Sequence, residues 1–252
     1  MKPITITAII AGCTVAAALL GMFLRVRLPD HHLREDSSEA VKLVTGLIAT
    51  LAALVLGLLI ASAKNFYDTQ NAEMQTLSAK IVNLDQVLVR YGPETVPARA
   101  ALRAAVVAGH DRLWPAHGTP TASRNPGNEI RNAGFYALLQ NLTPVTDPQR
   151  HLLAQATDIA DAISETRLLI FEQVGNSIAW PFLFILVFWL VVMFLGFGLL
   201  SPPNPTVIEA LAIGSLAVAS ATFLILEMDQ PYIGLIRLPD TPLRDAILQI
   251  TP

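Results

Sequence analysis

"LVTGLIATLAALVLGLLIASAKNFYDTQNAEMQTLSAKIVNLDQVLVRYGP", residues 43–93, opens as hydrocarbon and closes as a water-facing helix, with no break between the two. Leu43 to Ala63 carries no charge and is long enough to cross a bilayer core of about 30 Å. Polar residues return at Lys64, yet no Gly or Pro interrupts the chain until Gly92-Pro93. Over that stretch Tyr67, Met74, Leu77, Ile81, Leu84, Leu88 and Tyr91 recur at alternating three- and four-residue steps, with Gln70 as the polar exception. This is a heptad stripe. At 1.5 Å per residue the helix would run roughly 40 Å past the bilayer. A stripe of that length needs partners, so the spacing predicts a helical bundle standing on the membrane.

Three further blocks share the first half's composition. Ile4–Leu24, Ile178–Leu200 and Thr206–Leu226 are each near span length, and Glu209 is the only charge inside any of the four. The chain of 252 residues is 53% hydrophobic and 15% charged, with a mean hydropathy of +0.50, whereas soluble domains carry about 25% charge. The reading is an all-α membrane protein with four transmembrane helices. Residues 1–63 hold spans 1 and 2, 64–177 an extramembrane helical domain, 178–226 spans 3 and 4, and 227–252 a docking tail. The first block runs on to Leu24, longer than a signal peptide's apolar region, and no small-x-small site ends it. We expect it to be kept as a span. Cys13 is the only cysteine, which excludes an intrachain disulfide or a thiolate cluster. The net charge of −3 disfavours nucleic acid as a partner.

Four spans put both termini and 64–177 on one side. Lys2, Lys64, Lys80, Arg167, Arg237 and Arg244 lie there, against Arg25, Arg27, Arg34 and Lys42 on the other. The excess predicts termini and helical domain in the cytoplasm. Asp36 with Glu39 reads as a cap starting the second span's helix before the lipid. Asp147-Pro148 reads as an N-cap with Pro at the first helical position. Beyond it Leu152, Ala156, Ile159, Ile163, Thr166 and Ile170 form a second stripe. Pro97–Leu113, Glu129–Leu142 and Leu243–Ile250 read as shorter helices, and 115–128 as loop.

Glu209 is a charge at a span's start, but Thr206 and Glu209 after Pro205 match a capping box, so we read it as a cap. Trp180-Pro181 marks the membrane entry and a kink, and Trp180, Phe184 and Phe188 form an aromatic stripe. Adjacent His31 and His32 face apart and suit a metal poorly. His-Asp in "GHDRLW" (109–114) lacks companions, and nothing assembles nucleophile, base and orienter. We expect no enzyme, no cofactor and no metal site. In the second span, Gly46, Thr50, Ala53 and Gly57 make a small face for close helix approach. The sharper reading is an oligomer with a pore lined by this helix, at Thr45, Ala49, Ala53, Leu56 and Ile60. Rings of Leu56 and Ile60 would gate by dewetting. After the fourth span, Glu227 and Asp229 stand at a helix C-terminus, where the dipole disfavours them. Arg237 and Arg244 are the nearest compensating cations. Pro231 stops the helix, "YIGLI" (232–236) is apolar enough to pack under the bundle, and Asp240 opens another turn.

"DSSEAVKLVTG" (36–46), "LAALVLGLLIASAKNFYD" (51–68), "NLDQVLVRYGPE" (83–94) and "LEMDQPYIGLIRL" (226–238) together resemble the bacterial bestrophin-like membrane protein family. Bestrophins, to which that family is distantly similar, are pentameric ion channels with four spans, a helical segment after the second and a D-P-F-G-type turn after the fourth. The resemblance places Asp229, Pro231, Tyr232 and Gly234 at that turn, with Gln230 and Ile233 interrupting the tighter pattern. It implies a homo-oligomer passing inorganic ions across the lipid bilayer of a bacterial inner membrane, with a second-span hydrophobic neck. Calcium-gated members bind Ca²⁺ in an acidic cluster after the turn. Here only Asp240 and Asp245 join Glu227 and Asp229, and Ca²⁺ wants about six to eight oxygens, so calcium gating is not expected. Glu227, Asp229, Pro231, Gly234, Arg237 and Asp240 are left as a turn with a candidate ion or salt-bridge site. The competing readings are a non-conducting scaffold or sensor acting through its stalk, and a stator-like proton channel, which needs an ionisable group deep in a span.

Overall fold

The computed structural model describes residues 3–27, 35–114, 133–173 and 180–250. Within them the chain is helical, with helices α1 (Pro3–Arg27), α2 (Glu35–Tyr91), α3 (Val96–Leu113), α4 (Ala133–Gln140), α5 (Asp147–Gln173), α6 (Trp180–Leu200), α7 (Pro205–Met228) and α8 (Thr241–Gln249). No strand occurs among the described residues. α1, α2, α6 and α7 are long and apolar enough to cross a membrane. The chain divides into two compact units, Met1–Phe66 with Ser177–Asp229, and Tyr67–Asn176 with Gln230–Pro252. α2 is one helix of 57 residues, about 85 Å long, whose first half belongs to the first unit and second half to the other. His31, His32 and the 115–128 segment lie outside the described residues, as do the side chains of Asp36 and its neighbours. α2 already includes Glu35, so Asp36 falls inside its first turn rather than ahead of it.

In the first unit α1 packs on α6 and α7. The α1–α6 crossing depends on two glycines. A methyl on Gly21 would overlap the Leu195 carbonyl oxygen and stand 2.8 Å from the Leu199 nitrogen, and one on Gly198 would overlap the Ala18 carbonyl oxygen. Only glycine lets the two backbones touch. Arg25 Nη1 donates to the Leu200 carbonyl at 2.6 Å, neutralising the C-terminal end of α6 where carbonyls lack helical partners. Against α7, the buried Thr14 and Ser215 hydroxyls meet at 2.5 Å. Thr14 also reaches the Ile10 carbonyl and Ser215 the Ala11 carbonyl, as polar groups in a lipid-embedded helix must be satisfied within the protein.

Two expected caps move by a residue or more. The cap of α7 is Asn204, whose Oδ1 accepts from the Val207 nitrogen at 2.9 Å. Pro205 holds the first helical position, so Thr206 lies inside the helix and Glu209 is exposed. For α5 the cap is Thr146. Its Oγ1 accepts from Gln149 N at 3.3 Å while Gln149 Oε1 accepts from Thr146 N at 3.2 Å, a reciprocal box. Asp147 instead pairs with Arg150. Pro181 is the second residue of α6 as described, a position where its missing N–H is tolerated.

In the second unit the predicted stripe of α2 is the core. Met74, Leu77, Ile81, Leu84, Leu88 and Tyr91 are each at most 5% exposed. They pack with Ala98, Leu102 and Val106 of α3, Phe135 and Leu139 of α4, and Ala156, Ile163 and Ile170 of α5. The α2–α3 corner turns on Gly92, whose φ of +139° suits a residue without Cβ. The buried Thr95 hydroxyl bonds the Leu88 and Gly92 carbonyls, each at 2.7 Å. Arg99 of α3 closes the corner with a two-pronged bond to Asp85 of α2, at 2.7 and 3.0 Å.

Candidate pore face and C-terminal loop

The buried stripe of α2 does not stop where the water-facing half begins. Thr45, Ala52, Leu59 and Ala63 are 7%, 3%, 8% and 4% exposed, at steps of seven, seven and four residues along the apolar half of the helix. Thr45 fits against Gly196 of α6, whose missing Cβ would come 2.8 Å from Thr45 Oγ1. The predicted lining residues therefore divide. Thr45 is buried within the chain, Ala49, Leu56 and Ile60 are half-buried, and Ala53 is exposed. On the opposite side Gly46, Thr50, Ala53 and Gly57 are exposed, and a Cβ added at Gly46 or Gly57 would meet nothing within 4 Å. Leu47, Leu54 and Leu58 beside them are 61%, 71% and 61% exposed. Of the four spans α2 is the least covered, 17% of its apolar window being buried against 33% for α1 and for α6. Trp180, Phe184 and Phe188 also face outward, at 51%, 69% and 63%.

The tail forms a closed loop. Leu238 N donates to the Pro231 carbonyl at 2.7 Å and Ile233 N to Gln230 at 3.0 Å, with Gly234 at φ +118°. Arg237 Nε donates to the Gly234 carbonyl at 2.9 Å, and Tyr67 Oη to the Arg237 carbonyl. Arg237 thus ties its own loop. "YIGLI" does not pack inward as a block. Tyr232 is buried, but Ile233 and Leu235 are 41% and 75% exposed, because the chain turns and bends through 231–236 and does not present one face.

Tyr232 Oη donates to Gln70 Oε1 at 3.0 Å, which explains the polar residue in the α2 stripe: Gln70 is fully buried to receive the tail. Burial first, and the nearby Glu73 carboxylate second, raise the Tyr232 phenol. Glu227 is 2% exposed in the last turn of α7, ahead of the loop. At the loop's far end Asp240 Oδ2 lies 3.4 Å from His110 Nε2 of α3. Trp114 Nε1 donates to the Leu238 carbonyl at 3.0 Å, stacks on His110 and meets Tyr232 edge-on. These two anchors were missed by the sequence reading. Their signal was the i, i+4 spacing of His110 and Trp114 at the end of a helix.

Four apolar helices and an all-helical architecture define a polytopic membrane protein. It belongs to the bestrophin-like family: the Bestrophin-like domain profile matches residues 12–243. No curated protein and no solved structure matches it.

Proposed function

We propose that the protein is a homo-oligomeric ion channel of the bacterial inner membrane, with the open face of α2 turned to the pore and the second unit in the cytoplasm. It acts as a conduit and not as an enzyme. The observation that carries this reading is that face. Gly46, Thr50, Ala53 and Gly57 leave a smooth, uncovered side on the span that the rest of its own chain covers least, and small residues let helix backbones approach closely. Ile60, next on that line, supplies a bulky apolar ring for a constriction. The bestrophin-like membership supports the reading, since bestrophins are commonly ion channels.

Current across a planar bilayer holding the purified protein under an asymmetric KCl gradient tests it. Discrete steps are expected, and the sign of the reversal potential gives cation or anion. Silence across voltage, pH and Ca²⁺, from protein verified as folded and oligomeric, would count for a scaffold.

A further inference from the structure

The loop after α7 has its feet in the bundle and its tip outside. Tyr232 and Leu238 are buried, and the 2.7 Å bond from Leu238 N to the Pro231 carbonyl closes the chain between them. Arg237 Nε, donating to the Gly234 carbonyl at 2.9 Å, braces the tip from within. Ile233 and Leu235, one on each side of Gly234, are both exposed, Leu235 at 75%. With both feet pinned, the loop as built leaves these two apolar side chains outside.

The loop is also tethered close to the ends of two spans. Ile233 N donates to the Gln230 carbonyl at 3.0 Å, and Gln230 directly follows Asp229, the C-cap of α7. The tip therefore begins against the first residue beyond the fourth span's cap. On the other limb, the Arg237 carbonyl accepts from Tyr67 Oη at 3.3 Å. Tyr67 lies four residues past Ala63, where the uncharged run of α2 ends, about 6 Å along that helix. Lys64, exposed directly after that run, marks the level at which headgroups and water begin. Tyrosine is itself enriched at that level.

We propose that the 233–235 tip is an interfacial anchor, which inserts Ile233 and Leu235 into the acyl–headgroup boundary of the bilayer with Arg237 toward the phosphates. Arg237 is exposed, and a cation beside apolar side chains is the pairing that interfacial segments use. The occupant is lipid and not a soluble protein, because a tip tethered this near two span ends shares its surroundings with the bilayer surface. Tyr232, through its 3.0 Å bond to Gln70, passes the anchorage to the core of the second unit. The anchor stands independently of the channel reading, since it needs only the spans and the folded loop.

The test places a nitroxide on single cysteines of the full-length protein, reconstituted in vesicles of phosphatidylcholine and phosphatidylglycerol. Cys13→Ser removes the native thiol, and Leu235→Cys, Ile233→Cys and Val145→Cys supply the sites. Val145 is the contrast. It is 84% exposed, its nitrogen bonds Gln149 Oε1, and Gln149 Nε2 reaches the Tyr91 carbonyl at the far end of α2. Collisions with oxygen, which concentrates in hydrocarbon, are compared with collisions with a nickel chelate confined to water. The labels at Leu235 and Ile233 should favour oxygen, at a depth of roughly 5–10 Å, and the label at Val145 nickel. Both tip residues are exposed, so either variant should fold, and should one fail the other carries the test. Nickel access at the tip equal to that at Val145 overturns the anchor. Shielding from both reagents would put protein on the tip, a second copy of the chain where spin–spin broadening accompanies it, and overturns the lipid assignment.

Discussion

The hydroxyl oxygens of Thr14 and Ser215 lie 2.5 Å apart, near the midpoints of two apolar helices. Interhelical hydrogen bonds in a membrane contribute about 0.6 kcal/mol on average and up to about 1.7. Thr14→Val and Ser215→Ala should each destabilise the protein by an amount in that range. The double variant should lose less than the sum. Reversible unfolding in mixed micelles measures this, and strictly additive losses would deny the bond its role.

Gly21→Ala and Gly198→Ala each push a methyl into the facing backbone, which cannot move aside as a side chain can. A loss of about 1–3 kcal/mol or more is expected from overpacking. Gly12→Ala is the contrast, since nothing lies within 4 Å of its added Cβ. It should be neutral or mildly stabilising through helix propensity. Recovery of a monodisperse peak after heating separates them, and equal damage at Gly12 and Gly198 would contradict the packing account.

On α2, Ile60→Ser should raise leak by wetting the constriction, and Gly57→Ala should alter conductance while leaving the single chain's fold intact. Leu56→Ser behaves differently: Leu56 and Ile60 are both half-buried, but Leu56 lies four residues after the buried Ala52, three before the buried Leu59 and seven before the buried Ala63, nearer the inward stripe. It should lower stability before it changes current. Unaltered currents in folded Ile60→Ser protein would remove the open face from the pore.

Arg99→Ala leaves Asp85, 6% exposed, without its fork. Breaking a buried pair from one side costs about 3–5 kcal/mol. Arg99→Lys should recover only part, since an ammonium cannot reproduce the two-pronged bond. Thermal unfolding reports it, and a neutral Arg99→Ala would show that the pair does not hold the α2–α3 corner.

Burial raises Tyr232, and Glu73 adds to it; Tyr91 and Tyr136 are raised as well, chiefly by burial. The sign follows. Below pH of about 10, the ordinary phenol value, both folded and unfolded states keep the proton and stability is whole. Above it the unfolded chain ionises first, so this contribution to stability falls as pH rises. Phenolate absorbance of native protein near pH 10 should be unchanged by Tyr232→Phe. A smaller signal in that variant would mean that the phenol titrates as though in water.

Much of this was readable because helices repeat their chemistry. The spans, the α2 stripe from Tyr67 to Tyr91 and the α5 stripe were visible as spacing alone. The caps at Asn204 and Thr146 escaped by a residue or more because Thr206 and Asp147 are equally good capping types; only the position of each Pro relative to the first turn decides between them. The pore candidates were harder. Spacing shows that Thr45 and Ala49 share a stripe, but not which side of α2 the rest of the chain covers. The Gly196 notch that receives Thr45 lies about 150 residues away in sequence. His110 and Asp240 are likewise joined only by the fold.

The unbroken course of α2 also sets a rule of counting. Each residue turns a helix by about 100°, and from Tyr67 to Tyr91 the inward stripe never changes step. Inserting or deleting one residue between Leu77 and Leu84 would turn the core residues on one side of the change by a quarter-turn or more from those on the other, so that Met74 and Leu88 could not both face the same partners. Seven inserted residues restore the angle to within about 20° while lengthening the rod by about 10 Å. Length changes in this segment are therefore expected to come in whole heptads, as teeth are added to a gear.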